Sequence, residues 1–329
     1  MGVLFQAAEL EDWAVNYGCV NNTGAYFNPA NARANVFASL GSDFTYGVQS
    51  FPFSANEFWS SFVIHASATG STPSKFFTLE AGGIKRIAIS QSAAASTMLR
   101  AFQWNGSAWD TTVTAGLNSM AQAAVRTKYD VFVKLGNPGI LRVYKDGLPV
   151  IAVTPDYSFG GLANLDTMGL WGSSAAGGTT TYFSEAIVAT WNTIGSKLVT
   201  RVPDANGNYT AWLGGGFGAV DEVILGTDFL TSAAADQRVS FSLTDFPALV
   251  AGEVINTVGI NSFASRDGGG PSQMNHFTRI GSTDYDAANK TLSVAQAAVR
   301  TNFDVSPATG IAWTIAELNA AQFGMRSRT

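Results

Sequence analysis

Ile140-Leu141-Arg142-Val143-Tyr144-Lys145, then Asp146-Gly147, then Leu148-Pro149-Val150-Ile151-Ala152-Val153 is the stretch that decides the fold class. Two strand-like runs are joined by two residues that readily take the positive φ angles of a type I′ turn, so a tight β-hairpin is expected. Pro149 has no N–H to give to a sheet, so its strand should lie at an edge or turn that position outward. Tyr129 to Leu135 is another strand. Phe58 to His65 alternates two sets, Phe58/Ser60/Phe62/Ile64 and Trp59/Ser61/Val63/His65, the period-2 pattern of a strand with unlike faces. Phe76–Glu80 and Ile84–Ser90 flank Gly82-Gly83, and Leu99–Trp104 and Ser107–Thr112 flank Asn105-Gly106, a second hairpin of the Asp146-Gly147 kind.

The chain changes character after Trp191. Pro203-Asp204-Ala205-Asn206-Gly207-Asn208 and Gly214-Gly215-Gly216 read as turn clusters, which puts a boundary near 196–200 and divides the chain into 1–198 and 199–329. Beyond them Val220–Leu225, Arg238–Leu243, Val254–Ala264 and His276–Ile280 read as strands. The one good helix signal is Thr314-Ile315-Ala316-Glu317. The Thr hydroxyl can accept the third amide, the Glu can reach back, and Trp313 and Leu318 stand at staple positions. Phe323-Gly324 soon follows, so the helix must be short. The expectation is an all-β chain of two β-sandwiches of the jelly-roll kind with one short C-terminal helix. Helix should stay under about a tenth of the residues, against the usual third. Ala121-Gln122-Ala123-Ala124-Val125-Arg126-Thr127 recurs as Ala295-Gln296-Ala297-Ala298-Val299-Arg300-Thr301 at an offset of 174 residues. That spacing is too long for a solenoid and fits either two related β-domains or local convergence.

Composition narrows the function. Of 329 residues 46% are apolar and only 13% charged, which suits packed cores and not a disordered chain. A net charge of −5 argues against a nucleic-acid binder. A single Cys19 permits neither an intramolecular disulfide nor a thiolate zinc cluster. The N-terminal residues lack a basic region, Gln6 breaks the myristoylation pattern, and no stretch has the apolar length of a membrane span. The chain is therefore expected to be made in a cytoplasm, without a leader and outside the membrane.

Motifs for chemistry are few. His65 sits among strand aromatics and reads as a sheet-face residue, and His276 beside Phe277 after a glycine-rich loop reads as a surface residue. Gly172-Ser173-Ser174-Ala175-Ala176 lacks the last glycine of a nucleophile elbow. Gly214-x-Gly216-x-x-Ala219 imitates a dinucleotide loop, but a strand-like run follows where a helix is required, so no cofactor is expected. Asp204, Asn206 and Asn208 place oxygens at alternate positions as a calcium loop does, without its glycine or bidentate glutamate, and an Asn/Gly turn is the better reading. Asp221-Glu222 and Glu80 are carboxylates that a glycosidase could use. Trp104 and Trp109, with Phe102 near, fit either a sugar-stacking surface or cross-strand packing.

Tyr129–Lys134 followed by Leu141-Arg142-Val143-Tyr144-Lys145-Asp146-Gly147 resembles the concanavalin/laminin-G type of sandwich. Tyr182-Phe183-Ser184-Glu185-Ala186-Ile187-Val188-Ala189, Trp191-Asn192-Thr193, Val199–Pro203 and Trp212-Leu213-Gly214 resemble a recurring segment of tailed-bacteriophage virion proteins. Trp313-Thr314, Glu317-Leu318-Asn319 and Gln322-Phe323-Gly324 resemble the same proteins' terminus, and Glu11-Asp12-Trp13 and Asn35–Leu40 fit loosely. The resemblance implies a non-enzymatic virion component, either head-decorating, fibre or tail, whose partners are other virion proteins and copies of itself. The alternative is a carbohydrate-binding module that recognises a host-surface glycan, and a glycan hydrolase is a third reading. Scarce charge and many strand aromatics agree with a protein buried among its own copies. Trp104, Asn105, Gly106, Trp109, Gly215, Phe217 and Gly269 are the candidate contact residues.

Overall fold

The computed structural model describes residues 2–7, 15–16, 19–22, 35–38, 47–49, 53–66, 75–91, 98–115, 125–171, 181–222 and 226–329. The chain divides into two compact units, with the boundary between Val199 and Thr200. The first contains strands β1 (Val3–Ala7), β2 (Val15–Asn16), β3 (Cys19–Asn22), β4 (Asn35–Ala38), β5 (Gly47–Gln49), β6 (Glu57–Ala66), β7 (Lys75–Ala81), β8 (Ile84–Gln91), β9 (Leu99–Trp104), β10 (Trp109–Thr114), β11 (Thr127–Lys134), β12 (Ile140–Lys145), β13 (Leu148–Val153), β14 (Thr167–Trp171) and β15 (Thr181–Ala189). The second contains β16 (Pro203–Thr210), β17 (Arg238–Leu243), β18 (Val258–Ala264), β19 (Gln273–Ile280), β20 (Thr283–Asp286), β21 (Lys290–Thr291), β22 (Ala297–Phe303), helix α1 (Ile315–Ala320) and β23 (Gln322–Arg328). The protein is all-β, with α1 the one α-helix among the described residues.

The first unit is a sandwich of two antiparallel sheets. One runs β13-β12-β11-β6-β15-β4-β3 with β1 beside β15, the other β10-β9-β8-β7-β14-β5-β2. The alternation along β6 is what builds it. Phe58, Phe62 and Ile64 enter the core, while Trp59 and His65 stay half-buried on the outer face. Phe62 stacks on Phe77 from the facing sheet at 5.2 Å between ring centres. Each such ring taken fully from water contributes about 1.5–3 kcal/mol. The β12–β13 hairpin closes on Asp146 (φ 48) and Gly147 (φ 81), with Lys145 opposite Leu148, the expected type I′ turn. β13 carries Pro149 and lies at the sheet edge, where a missing N–H costs no ladder bond.

The other hairpin is different. Trp104 pairs with Trp109, so the loop is four residues and β10 starts at Trp109, not at Ser107. The cause is the Asn105 side chain. Its Oδ1 accepts the amides of Ser107 (2.9 Å) and Ala108 (2.8 Å), so Asn105 turns the chain with its side chain and keeps an ordinary φ.

In the second unit, a six-stranded sheet (β16-β17-β23-β19-β20, with β21 beside β19) faces the two-stranded ribbon β18–β22. Trp313, Leu318, Ala321 and Phe323 are buried between them, with Leu243, Ile260, Ile280 and Phe303 packed around. Thr314 caps α1 by accepting the Glu317 amide at 3.2 Å, as expected. The Glu317 carboxylate does not reach back; it accepts from the Ser306 hydroxyl instead. Several strand expectations need correction. Pro203–Asn208 is not a turn but the body of β16, an edge strand that bulges between Asn206 and Thr210. Val220–Glu222 follows a short 3₁₀ turn and is not strand, and Val223–Leu225 lies outside the described residues. β18 begins only at Val258, after a turn in which Gly252 takes φ 90. The echoed segments do not play one role. Ala297–Phe303 is all β22, whereas in the first copy the strand starts at Thr127, four residues later, and Ala121–Ala124 lies outside the described residues. β11 is the centre of a broad sheet and β22 half of a ribbon, so no domain repeat is present in these elements.

Candidate functional site

Three surfaces bring polar chemistry and aromatic rings together. The first is the outer face of the β6–β11–β12 sheet. Register places Phe132 opposite both Trp59 and Arg142. Trp59 touches Phe132 (5.0 Å) and lies stacked with Tyr144 (5.8 Å). All three rings are half-buried, and Arg142 is exposed beside them. Below this patch, Asp130 is buried and accepts from Thr193 Oγ1 at 2.8 Å, with Lys128 Nζ at 3.2 Å. Lys128 also donates to the carbonyls of Thr193 (2.8 Å) and Ser196 (2.7 Å), which pins the chain after Trp191 to the sheet. Burial pushes the Asp130 carboxyl up against the opposing pull of Lys128, and it pushes the Lys128 amine down.

The second surface is the outer face of the other sheet in the same unit. Trp171 Nε1 donates to Thr78 Oγ1 at 2.8 Å, and that hydroxyl donates to Glu80 Oε1 at 3.2 Å. Lys85 Nζ stands 3.6 Å from the centre of the Trp171 ring. Gly169 makes room, because a Cβ there would sit 2.6 Å from both Thr78 Oγ1 and Trp171 Nε1. Burial raises the Glu80 carboxyl, partly offset by Lys85 and the Thr78 hydroxyl. Aromatic face, cation and carboxylate thus lie within one side-chain network.

The third surface is the outer face of the six-stranded sheet. Arg279 and Tyr209 hold Asp284 at 2.6 Å each, and Arg238 also contacts it. Arg326 and Arg328 reach Asp286 at 2.8 and 2.9 Å and Asp236 at 2.9 and 2.6 Å. Burial opposes ionisation of Asp284, but the Tyr209 and Arg279 hydrogen bonds and the Arg238 charge outweigh it and hold the carboxyl below its ordinary value. Gly324 lets the ring of Phe277 lie against the sheet under Arg238, since a Cβ there would meet Phe277 at 2.7 Å and the Val239 carbonyl at 2.2 Å.

On the opposite face of β19, His276 is fully buried, not the surface residue that its flanking glycines imply. Nε2 meets Ser262 Oγ at 2.8 Å and Nδ1 meets Thr301 Oγ1 at 2.9 Å, so one imidazole ties the sheet to both strands of the ribbon. Burial pushes its pKa down to about 3, which keeps the ring neutral. His65 is half-buried on the outer sheet face, edge-on to Tyr182 at 6.2 Å.

The residues singled out by sequence are not gathered into one site. Trp104 and Trp109 pack edge-to-face at 5.4 Å across their hairpin, and Asn105 and Gly106 form its exposed tip. Gly215 is exposed with φ 113 and precedes the 3₁₀ turn, in which the Phe217 amide donates to Asn206 Oδ1 at 2.8 Å. Gly269 is exposed in a loop whose amides at 269 and 270 point to Asp267 Oδ1. Of the calcium-loop candidates, Asn206 is thus taken by Phe217 and Asn208 Oδ1 accepts Gln322 Nε2 at 2.7 Å, while Asp204 is exposed. Among the described residues no group of three or more His, Cys, Asp or Glu is placed to hold a metal ion. Glu80 is buried in the first unit, and Asp221 and Glu222 are exposed in the second. Gly172–Ala176 and Glu11–Trp13 lie outside the described residues.

No family model matches the sequence and no curated protein matches it. Among solved structures the chain is similar to an endo-β-1,4-glucuronan lyase from the fungus Trichoderma reesei, at 12% identity over 58% of this chain and 96% of that one, with a TM-score of 0.42. It is similar to the globular domain of T. cruzi calreticulin, at 9% identity over 58% and 89%, with a TM-score of 0.43. It is also similar to the Emp46p carbohydrate recognition domain, at 6% identity over 53% and 88%, with a TM-score of 0.37. The likeness is one of β-sandwich fold and extends to nothing else.

Proposed function

We propose that the chain is a non-enzymatic structural component of a tailed-bacteriophage virion and acts through contacts with its own copies and with other virion proteins. One observation carries this reading. Eleven large apolar side chains are exposed among the described residues; Ile84, Val125 and Leu148 are in the first unit, and Leu213, Phe229, Leu249, Val250, Val254, Val294, Val305 and Ile311 are in the second. The second unit is the smaller one, and among the described residues it buries ten apolar side chains where the first unit buries thirty-three. Apolar loops around a thin core are what a unit completed by its neighbours presents. The ionic face of that unit pairs its charges internally, which leaves apolar area as the means of contact. The phage-like segments at 182–214 and 312–324 agree with this role.

The test is recovery of the chain from particles of the phage that encodes it. It should be present in purified particles and remain there when salt is raised from about 0.1 to 1 M, where the Debye length falls to about 3 Å and surface ion pairs are screened. Absence from the particles, or release by salt alone, contradicts the reading. A second reading, glycan recognition by the first unit, is favoured by the Trp171–Thr78–Glu80–Lys85 network, since sugars stack on an aromatic face and bond to polar groups beside it. Binding on a glycan array that Trp171→Ala abolishes would support it, and an array without binding would remove it.

A further inference from the structure

We propose that copies of this chain join head to tail, with the Asp228-Phe229 loop of the second unit of one copy seated on the Trp59/Phe132/Tyr144/Arg142 patch of the first unit of the next. The proposal rests on the assembly reading and names the contact. The patch has the composition of an interface anchor: Trp, Tyr and Arg carry most binding energy where proteins meet. Its rings are half-buried on a rigid central part of the sheet, and Arg142, directly opposite Phe132, makes no ion pair or hydrogen bond among the described residues. The other cations on that face, Lys128 and Lys134, are held by Asp130 and Glu57. Arg142 is therefore the charge left for a partner, and the partner it fits is acidic and aromatic.

The second unit supplies such a segment. Phe229 is 64% exposed and is the one aromatic ring among the exposed large apolar side chains described. Asp228 beside it is exposed and accepts only a long 3.5 Å bond from Thr227. The loop is held in place. Leu213 and Thr231 exchange backbone bonds of 2.9 and 2.8 Å, and Gly214 approaches so closely that a Cβ would lie 2.3 Å from the Phe229 carbonyl. A backbone fixed in that way leaves only side-chain rotamers to be ordered on docking. Leu213, 69% exposed, flanks it and widens the apolar contact. Charge also selects the pairing: from Thr200 to Thr329 eight Lys and Arg stand against twelve Asp and Glu, a net −4, which suits a patch whose unpaired group is a guanidinium. Two different patches meeting give a heterologous contact, which closes into a ring or extends as a filament.

The experiment uses the purified full chain alone, with self-association followed by light scattering and sedimentation across a dilution series. Wild type should associate in the micromolar range. Arg142→Asp and Asp228→Arg should each raise the dissociation constant about tenfold or more, and the double exchange should bring it back toward the wild-type value. Phe229→Ser should abolish association. All these positions are exposed, and an unchanged circular dichroism spectrum checks that each variant is folded. A chain that stays monomeric to about 100 μM, or one whose association ignores both charge exchanges, overturns the proposal. Because no other virion protein is in the assay, absence of the chain from particles would remove the assembly role and leave this contact standing.

Discussion

Trp313→Ala removes the largest side chain of the second unit's buried cluster. Trp313 is 3% exposed at the entry to α1 and packs with Leu318 and Phe323 in the buried cluster. Its Nε1 donates to the Phe303 carbonyl at 3.1 Å, which ties the helix entry to the end of β22. Truncating a buried Trp costs about 3–5 kcal/mol through lost transfer energy and the cavity left behind. The upper half of that range applies, because the half-buried Phe303 carbonyl also loses its donor at about 1 kcal/mol. With a urea slope of about 2 kcal/mol/M, a loss of ~4 kcal/mol moves the midpoint down by about 2 M. The assay is urea unfolding followed by far-UV circular dichroism, with Trp104→Ala as the comparison. Trp104 is half-buried in a hairpin pair, so its loss should cost about 1 kcal/mol. Equal shifts for the two variants, or an unmoved midpoint for Trp313→Ala, would refute the placement of Trp313 as the core's anchor.

Three further outcomes are expected. Gly324→Ala drives a Cβ into the Val239 carbonyl and the Phe277 ring and should cost about 3 kcal/mol or more by the same urea assay. Gly147→Ala, at φ 81 in the type I′ turn, should cost about 1–2 kcal/mol with no clash, since only the left-handed backbone opposes it. His276 is neutral when folded, with a pKa near 3, and protonates below its ordinary 6.5 when unfolded. The unfolded chain therefore binds the extra proton between those values. The stability His276 contributes is complete above pH 6.5 and falls at about 1.4 kcal/mol per pH unit as pH drops toward 3. His276→Gln should flatten the stability–pH curve in that window, and an unchanged slope would show that the imidazole is not what titrates.

Much of the first unit was legible because its strands have unlike faces. The alternation from Phe58 to His65 and the Asp146-Gly147 turn are local signals, and the structure uses both locally. The same holds for Trp313 and Thr314 at the helix entry. In sequence β16 resembles a turn because neither of its faces is apolar: its bonds go sideways, with Tyr209 NH on Ser240 and Asn208 clasped by Gln322, 114 residues away. The burial of His276 is hidden in the sequence because its partners Ser262 and Thr301 lie on other strands, while its own neighbours include the glycine-rich loop that points to the surface. The Trp171–Thr78–Glu80–Lys85 network joins residues up to 93 apart, and the four arginines and three aspartates of the second unit are scattered from 236 to 328. No spacing rule marks such sets; only the strand order brings them together. The Trp104–Trp109 pair, in contrast, was visible as cross-strand packing because both residues flank one short loop.

Apolar loops of the second unit are proposed to hold this chain in an assembly. Amide hydrogen exchange, compared between the chain in the particle and the chain free in solution, measures this most directly. Protection should be gained on assembly in the segments around Leu213 and Phe229, Leu249–Val254, Val294, and Val305–Ile311, where the exposed apolar side chains lie. Exchange in those segments that is as fast in the particle as in solution would contradict it.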